Sequence, residues 1–189
     1  MQRKQMGRAD FEKTLRRAAA AVILAVGMIG LLAGGMLAAK AGKSTPAGAS
    51  LKPAEPTEAV SFPLETAHWR VSDPYGWRED PFTGEEAFHR GMDLACAEGT
   101  RVLAMLDGTV TAARRSETYG NYLRLTHADG QETLYAHLQY LYVRAGEVVQ
   151  KGQCLGTVGQ TGRATGAHLH LEFLVQGIRY DPGKALGLP

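Results

Sequence analysis

Apolar and polar positions alternate with a period of two through much of the C-terminal two thirds of this chain. In "NYLRLTH", Leu123, Leu125 and His127 fall on one side, and Tyr122, Arg124 and Thr126 on the other. That is the pattern of a half-buried strand. "QETLYAHL" alternates again and places His137 on the face of Tyr135 and Thr133. Asp129-Gly130 between the two runs signals a hairpin. "VVQKGQCLGTVG" reads as another short strand bracketed by glycines, and "HLHLEF" alternates near the C-terminus. No convincing helical period occurs after residue 61, where most of the 23 glycines fall. Residues 61–189 therefore read as a mainly β, antiparallel domain.

The first third follows other rules. Ala18 to Ala39 contains no charged residue in 22 positions, long enough to cross a bilayer as a helix. Residues 1–17 carry six Lys or Arg against two acidic residues, so the tail is +4 and the rest of the +2 chain sums to −2. Positive residues stay cytoplasmic, which predicts a single-pass membrane protein with its N-terminus inside and its C-terminal domain outside. A cleaved signal peptide is the competing reading, with Ala39-Lys40-Ala41 a passable site. Its apolar region is normally 7–15 residues, shorter than this one. Residues 40–60 are rich in Pro, Ala, Gly, Ser, Thr and Lys and lack aromatics, the composition of a linker reaching at most about 70 Å. The near-neutral domain beyond argues against nucleic acid as a partner.

Histidines carry the chemistry. On a strand, His168, His170 and Glu172 share one face, while Leu169, Leu171 and Phe173 share the other. Two imidazoles then stand about 7 Å apart at the backbone and converge on one spot. "FHRGMDLA" places His89 four residues before Asp93, on one side of a helix or strand alike, and Gly91 between them disfavours the helix. Two His and one Asp make a set of three ligands, and three protein ligands with one open position is the catalytic zinc arrangement. Imidazole suits zinc but leaves other divalent metals open. The H-E-x-x-H motif is absent, so a spare histidine is needed for proton transfer.

These residues resemble the lysostaphin-type, LytM-like zinc metallopeptidases, which cut peptide bonds in bacterial peptidoglycan. The pattern H-x-x-x-D, Y-x-H-L, H-x-H reads here as His89 to Asp93, Tyr135-Ala136-His137-Leu138 and His168-Leu169-His170. "YGWREDPFTG", "YGNYLRL" and "KGQCLGTVGQTGRATGAHLHLEF" extend the likeness over residues 70–182. The resemblance implies a compact β domain whose open groove holds one zinc ion on its floor. It implies His89, Asp93 and His170 as ligands, His137 and His168 as catalytic groups, and peptidoglycan as substrate. An envelope scaffold or partner-binding protein of a sporulation or division complex, tethered through the same span, is the alternative.

Other residues carry weaker expectations. Glu172 either orients a ligand or faces solvent, and Tyr135 either lines the groove or packs. Arg78 is structural or faces substrate, His127 is structural, and Tyr119, Gly120 and Asn121 read as turn chemistry. Cys96 and Cys154 are either disulfide-bonded or two buried thiols.

Overall fold

Strand alternation becomes a meander. In the computed structural model, residues 55–56 and 58–188 are described. The basic tail, the apolar stretch 18–39 and most of the 40–60 linker lie outside them. Among the described residues, no helix is long and apolar enough to cross a membrane.

The strands are β1 (Arg70–Asp73), β2 (Gly76–Glu79), β3 (Glu86–His89), β4 (Met92–Ala95), β5 (Arg101–Leu103) and β6 (Gly108–Ser116), followed by β7 (Gly120–Thr126), β8 (Gln131–Leu141), β9 (Val148–Val149), β10 (Cys154–Val158), β11 (His168–Val175) and β12 (Ile178–Tyr180). Ten form one antiparallel sheet with the path β1-β4-β11-β8-β7-β6-β9. On its flank β10 pairs with both β5 and β8, and β12 pairs with β11. β2 and β3 make a separate two-stranded sheet. The mainly β expectation holds, with two small exceptions: a 3-10 turn at Ala128–Gly130 and a four-residue helix, α1 (Pro182–Ala185).

The β7–β8 hairpin turns at the residues that signalled it, with φ of 55° at Asp129 and 71° at Gly130. Leu123, Leu125, Tyr135, Leu155, Leu169, Leu171 and Phe173 are all buried in one apolar cluster. Burying such side chains stabilises a fold by about 1.5–3 kcal/mol each. Tyr135 therefore packs rather than lining the groove; its hydroxyl accepts a hydrogen bond from Met105 N at 2.9 Å. His127 is structural as expected, with Nδ1 2.8 Å from Asp107 O and Nε2 2.7 Å from Thr133 Oγ1. Cys96 and Cys154 are free thiols.

Candidate metal centre

β11 builds the floor. Its leucine face is fixed in the core, so His168, His170 and Glu172 must face the other way. All three are nonetheless buried, because groove walls rise over them. β4 lies beside β11 and pairs His170 with Asp93, which brings these two side chains to one face. His89 arrives differently from the sequence expectation. It ends β3 in the small sheet, while Asp93 lies in β4 of the large one. The chain turns between them at Arg90-Gly91, so neither helical nor strand periodicity unites the pair. Gly91 is required there by space: a Cβ would stand 2.5 Å from Leu171 O and 2.7 Å from His170 Cε1.

His89 Nε2, Asp93 Oδ1 and His170 Nδ1 converge. Their separations are 3.1 Å between the two nitrogens, 3.3 Å from His89 to Asp93, and 2.7 Å from His170 to Asp93. Metal bonds of about 2.0–2.1 Å in a tetrahedron place ligand atoms about 3.4 Å apart. The N/O/N set therefore fits one divalent cation with little movement. His89 Nδ1 lies 2.9 Å from Pro74 O, so it carries the proton and leaves Nε2 a lone-pair donor. His170 presents Nδ1 to the centre and turns Nε2 toward Glu172 Oε1 at 3.5 Å. Glu172 in turn accepts from Tyr119 Oη at 2.6 Å and lies 3.2 Å from Arg179. Glu172 is thus a buried carboxylate facing the His170 ring and not a solvated one.

Without a cation, electrostatics hold a proton on His170 that a bound metal ion would displace. Burial of Asp93 works against its charge, but the hydrogen bond from His170 and the close contacts with His89 and His168 hold the carboxyl well below its usual range. Burial also opposes charge on His170, yet Asp93 and Glu172 raise it to about 9. Burial and the contact with Glu172 push the Tyr119 hydroxyl up to about 12, so it stays a donor.

His137 reaches the floor by breaking the strand rule. Alternation would send it into the core with Thr133 and Tyr135. Instead its φ is +61°, a left-handed conformation that costs a non-glycine residue about 1 kcal/mol or more. β8 pairs with β11 as far as Ala136 and with β10 from Leu138 onward, so His137 sits at the fork. On the other edge, the register with β7 slips between Asn121 and Leu123. The bulge turns the imidazole into the groove, with its ring centroid 4.7 Å from that of His168. The 160–167 loop completes the setting. Thr161 O lies 2.7 Å from His137 Nδ1, and Gly166 O lies 2.8 Å from His168 Nδ1. Both rings are protonated at Nδ1, which turns Nε2 toward the groove; that of His168 lies 3.5 Å from Asp93 Oδ2.

All five predicted site residues line one groove, together with Asp73, Arg78, Asp80, Phe82, Tyr119 and Arg163. Tyr119 is the residue sequence reasoning missed. Turn chemistry is present at Gly120, whose φ is +61° against Thr161, but it masked the tyrosine beside it.

This groove, built on this sheet, defines a metallopeptidase-like class of domain, and the comparisons with known proteins narrow it. Residues 87–182, just over half of the chain, match the model of Peptidase family M23, and the chain belongs to that family. Peptidoglycan DD-endopeptidase ShyC of Vibrio cholerae is 44% identical over 121 residues, 64% of this chain and 28% of that protein. The chain spans under a third of the length of the curated relatives it matches first. A crystal structure of a zinc containing peptidase from Vibrio cholerae aligns with a TM-score of 0.62 at 34% identity, over 70% of this chain and 41% of that one. The catalytic domain of lysostaphin from Staphylococcus simulans aligns with a TM-score of 0.57 at 30% identity, over 63% and 92% of the respective chains. The lysostaphin-type resemblance read from the motifs holds.

Proposed function

We propose that this chain is a membrane-anchored, zinc-dependent endopeptidase that hydrolyses peptide bonds in peptidoglycan stem peptides or cross-bridges. The observation that carries the proposal is the convergence of His89, Asp93 and His170 within 3.3 Å of one another, beside His137 and His168, whose Nδ1 atoms are held by backbone carbonyls. ShyC's name, a peptidoglycan DD-endopeptidase, supports the substrate, and the zinc containing peptidase supports the metal. The uncharged 18–39 stretch and its +4 flank support the anchor, with the catalytic domain outside the membrane. The scaffold reading is less supported, because all five candidate site residues are present in the groove.

His89, Asp93 and His170 would hold the zinc, which would supply Lewis acidity, lowering the pKa of water to about 7 and polarising the scissile carbonyl. The remaining work belongs to side chains. Burial pushes His137 down to about 4, and neighbouring His168 and His170 push the same way, so it enters as a neutral base. Nε2 of His137 or His168 takes the proton of the attacking water. The same imidazolium returns it to the amine nitrogen as the C–N bond breaks. Glu172 holds the His170 ring in its ligating orientation.

The test is digestion of purified peptidoglycan by the zinc-loaded full chain beside His170→Ala, read by mass spectrometry. Paired new amino and carboxyl ends in the wild-type digest alone support the reading, and fragment masses name the bond. No new ends from a folded, zinc-loaded chain would overturn it.

A further inference from the structure

The groove has a feature that metal chemistry does not use. Its two walls carry one arginine each, Arg78 on β2 and Arg163 on the 160–167 loop. Arg78 is committed inward, with Nε 2.7 Å from Asp73. Arg163 is held differently. One edge of its guanidinium meets Asp80 Oδ1 at 2.8 Å, and its carbon stands 4.4 Å over the Phe82 ring. A carboxylate on one edge and an aromatic ring on one face fix the plane of the group. Its side chain is still 43% exposed and lines the groove.

Asp80 is itself held in place, and shares its carboxylate with other donors. The same Oδ1 also accepts from Phe82 N at 2.8 Å and Thr83 N at 3.1 Å, and Oδ2 lies 3.7 Å from Arg78. Three donors share Oδ1, and the backbone hydrogen bonds from Phe82 and Thr83, helped by the charges of Arg163 and Arg78, hold the Asp80 pKa below its usual value. Arg163 thus keeps guanidinium N–H donors that Asp80 does not occupy, with the side-chain entropy of orienting them already lost in the free protein. A planar fork held in that state is a ready receptor for a second carboxylate.

We infer that Arg163, clamped between Asp80 and Phe82, binds a carboxylate of the substrate peptide and makes the groove selective for acidic peptides. The inference rests on the proposed peptidase function and names the chemistry that function recognises. It assigns Arg163 to substrate binding, with no part in proton transfer or metal binding.

Charge on the substrate tests it. Soluble cross-linked peptide fragments are released from peptidoglycan by a glycan-cleaving enzyme, and half are converted to carboxamides with carbodiimide and ammonia. Wild-type full chain is expected to favour the free-acid peptides by about tenfold to a hundredfold in kcat/KM, carried mainly by KM, as a charge-assisted hydrogen bond predicts. In Arg163→Gln that ratio collapses toward one, and Arg163→Lys, which keeps the charge but not the fork, restores part of it. Equal losses on both peptides, with the wild-type ratio preserved, would show Arg163 to be only a strut between the walls and overturn the inference. Calorimetric binding of the two preparations to His168→Ala reads the same preference without turnover. A chain that binds free-acid peptides selectively but cuts none keeps the inference and fails the peptidase reading. Equal binding of both preparations fails the inference alone.

Discussion

His137 Nδ1 lies 2.7 Å from the carbonyl oxygen of Thr161. A carbonyl only accepts, so this contact fixes the tautomer and reserves Nε2 for the groove. The bond joins β8 to the 160–167 loop, which also sets His168 through Gly166 O. One loop therefore orients both proton-transfer candidates while contributing no ligand to the metal.

This separation of roles predicts a split between activity and metal content. His137→Ala and His168→Ala should each lose about a hundredfold to ten-thousandfold in kcat while retaining zinc. His170→Ala should lose both. Elemental analysis alongside steady-state hydrolysis checks this. A fully active His137→Ala with zinc bound would remove His137 from the chemistry.

Glu172 should matter through His170. Glu172→Gln is expected to weaken metal affinity by about tenfold to a hundredfold, measured by competition with a chelator of known affinity. Tyr119→Phe, which removes only the 2.6 Å hydrogen bond to Glu172, should lose less.

Gly91 is held by space rather than by dihedral angle. Gly91→Ala puts a methyl group 2.5 Å from Leu171 O and against the His170 ring. Overpacking of this kind costs about 1–3 kcal/mol. Thermal unfolding should show a lowered Tm, and chelator competition a weakened metal site.

Acid should destabilise the fold partly through His127. Burial lowers its pKa below the ordinary value of 6.5, so the unfolded chain binds the proton more readily than the folded one. The stability this group contributes is complete above pH about 6.5. It is lost as pH falls through 6.5 toward the lower folded-state value. Tm of the metal-free chain should therefore fall less steeply below pH 6.5 in His127→Asn than in the wild type. Parallel curves would contradict the assignment.

Much of this was legible in the sequence, for reasons that differ by residue. The period of two on β11 revealed the His168, His170 and Glu172 face, because Leu169, Leu171 and Phe173 had only the core to go to. Asp129-Gly130 marked its hairpin because left-handed backbone favours those residues. Alternation failed at His137, where a bulge reverses the side chain, and sequence pattern does not encode a fork between two partner strands. His89 and Asp93 were grouped correctly on the wrong geometry, since a turn between two sheets unites them. Tyr119 and the Arg163–Asp80 pair lie on turns and loops, whose side-chain directions follow from tertiary packing alone.

The most direct test of the central claim is a zinc titration of the metal-depleted chain, followed by release of peptide ends from peptidoglycan. Activity should be absent without metal and rise linearly to a plateau at one zinc per chain. His89→Ala and Asp93→Ala should show no such rise. Hydrolysis that survives complete metal removal, or a plateau unchanged in those two variants, would contradict the assignment of His89, Asp93 and His170 as the catalytic metal site.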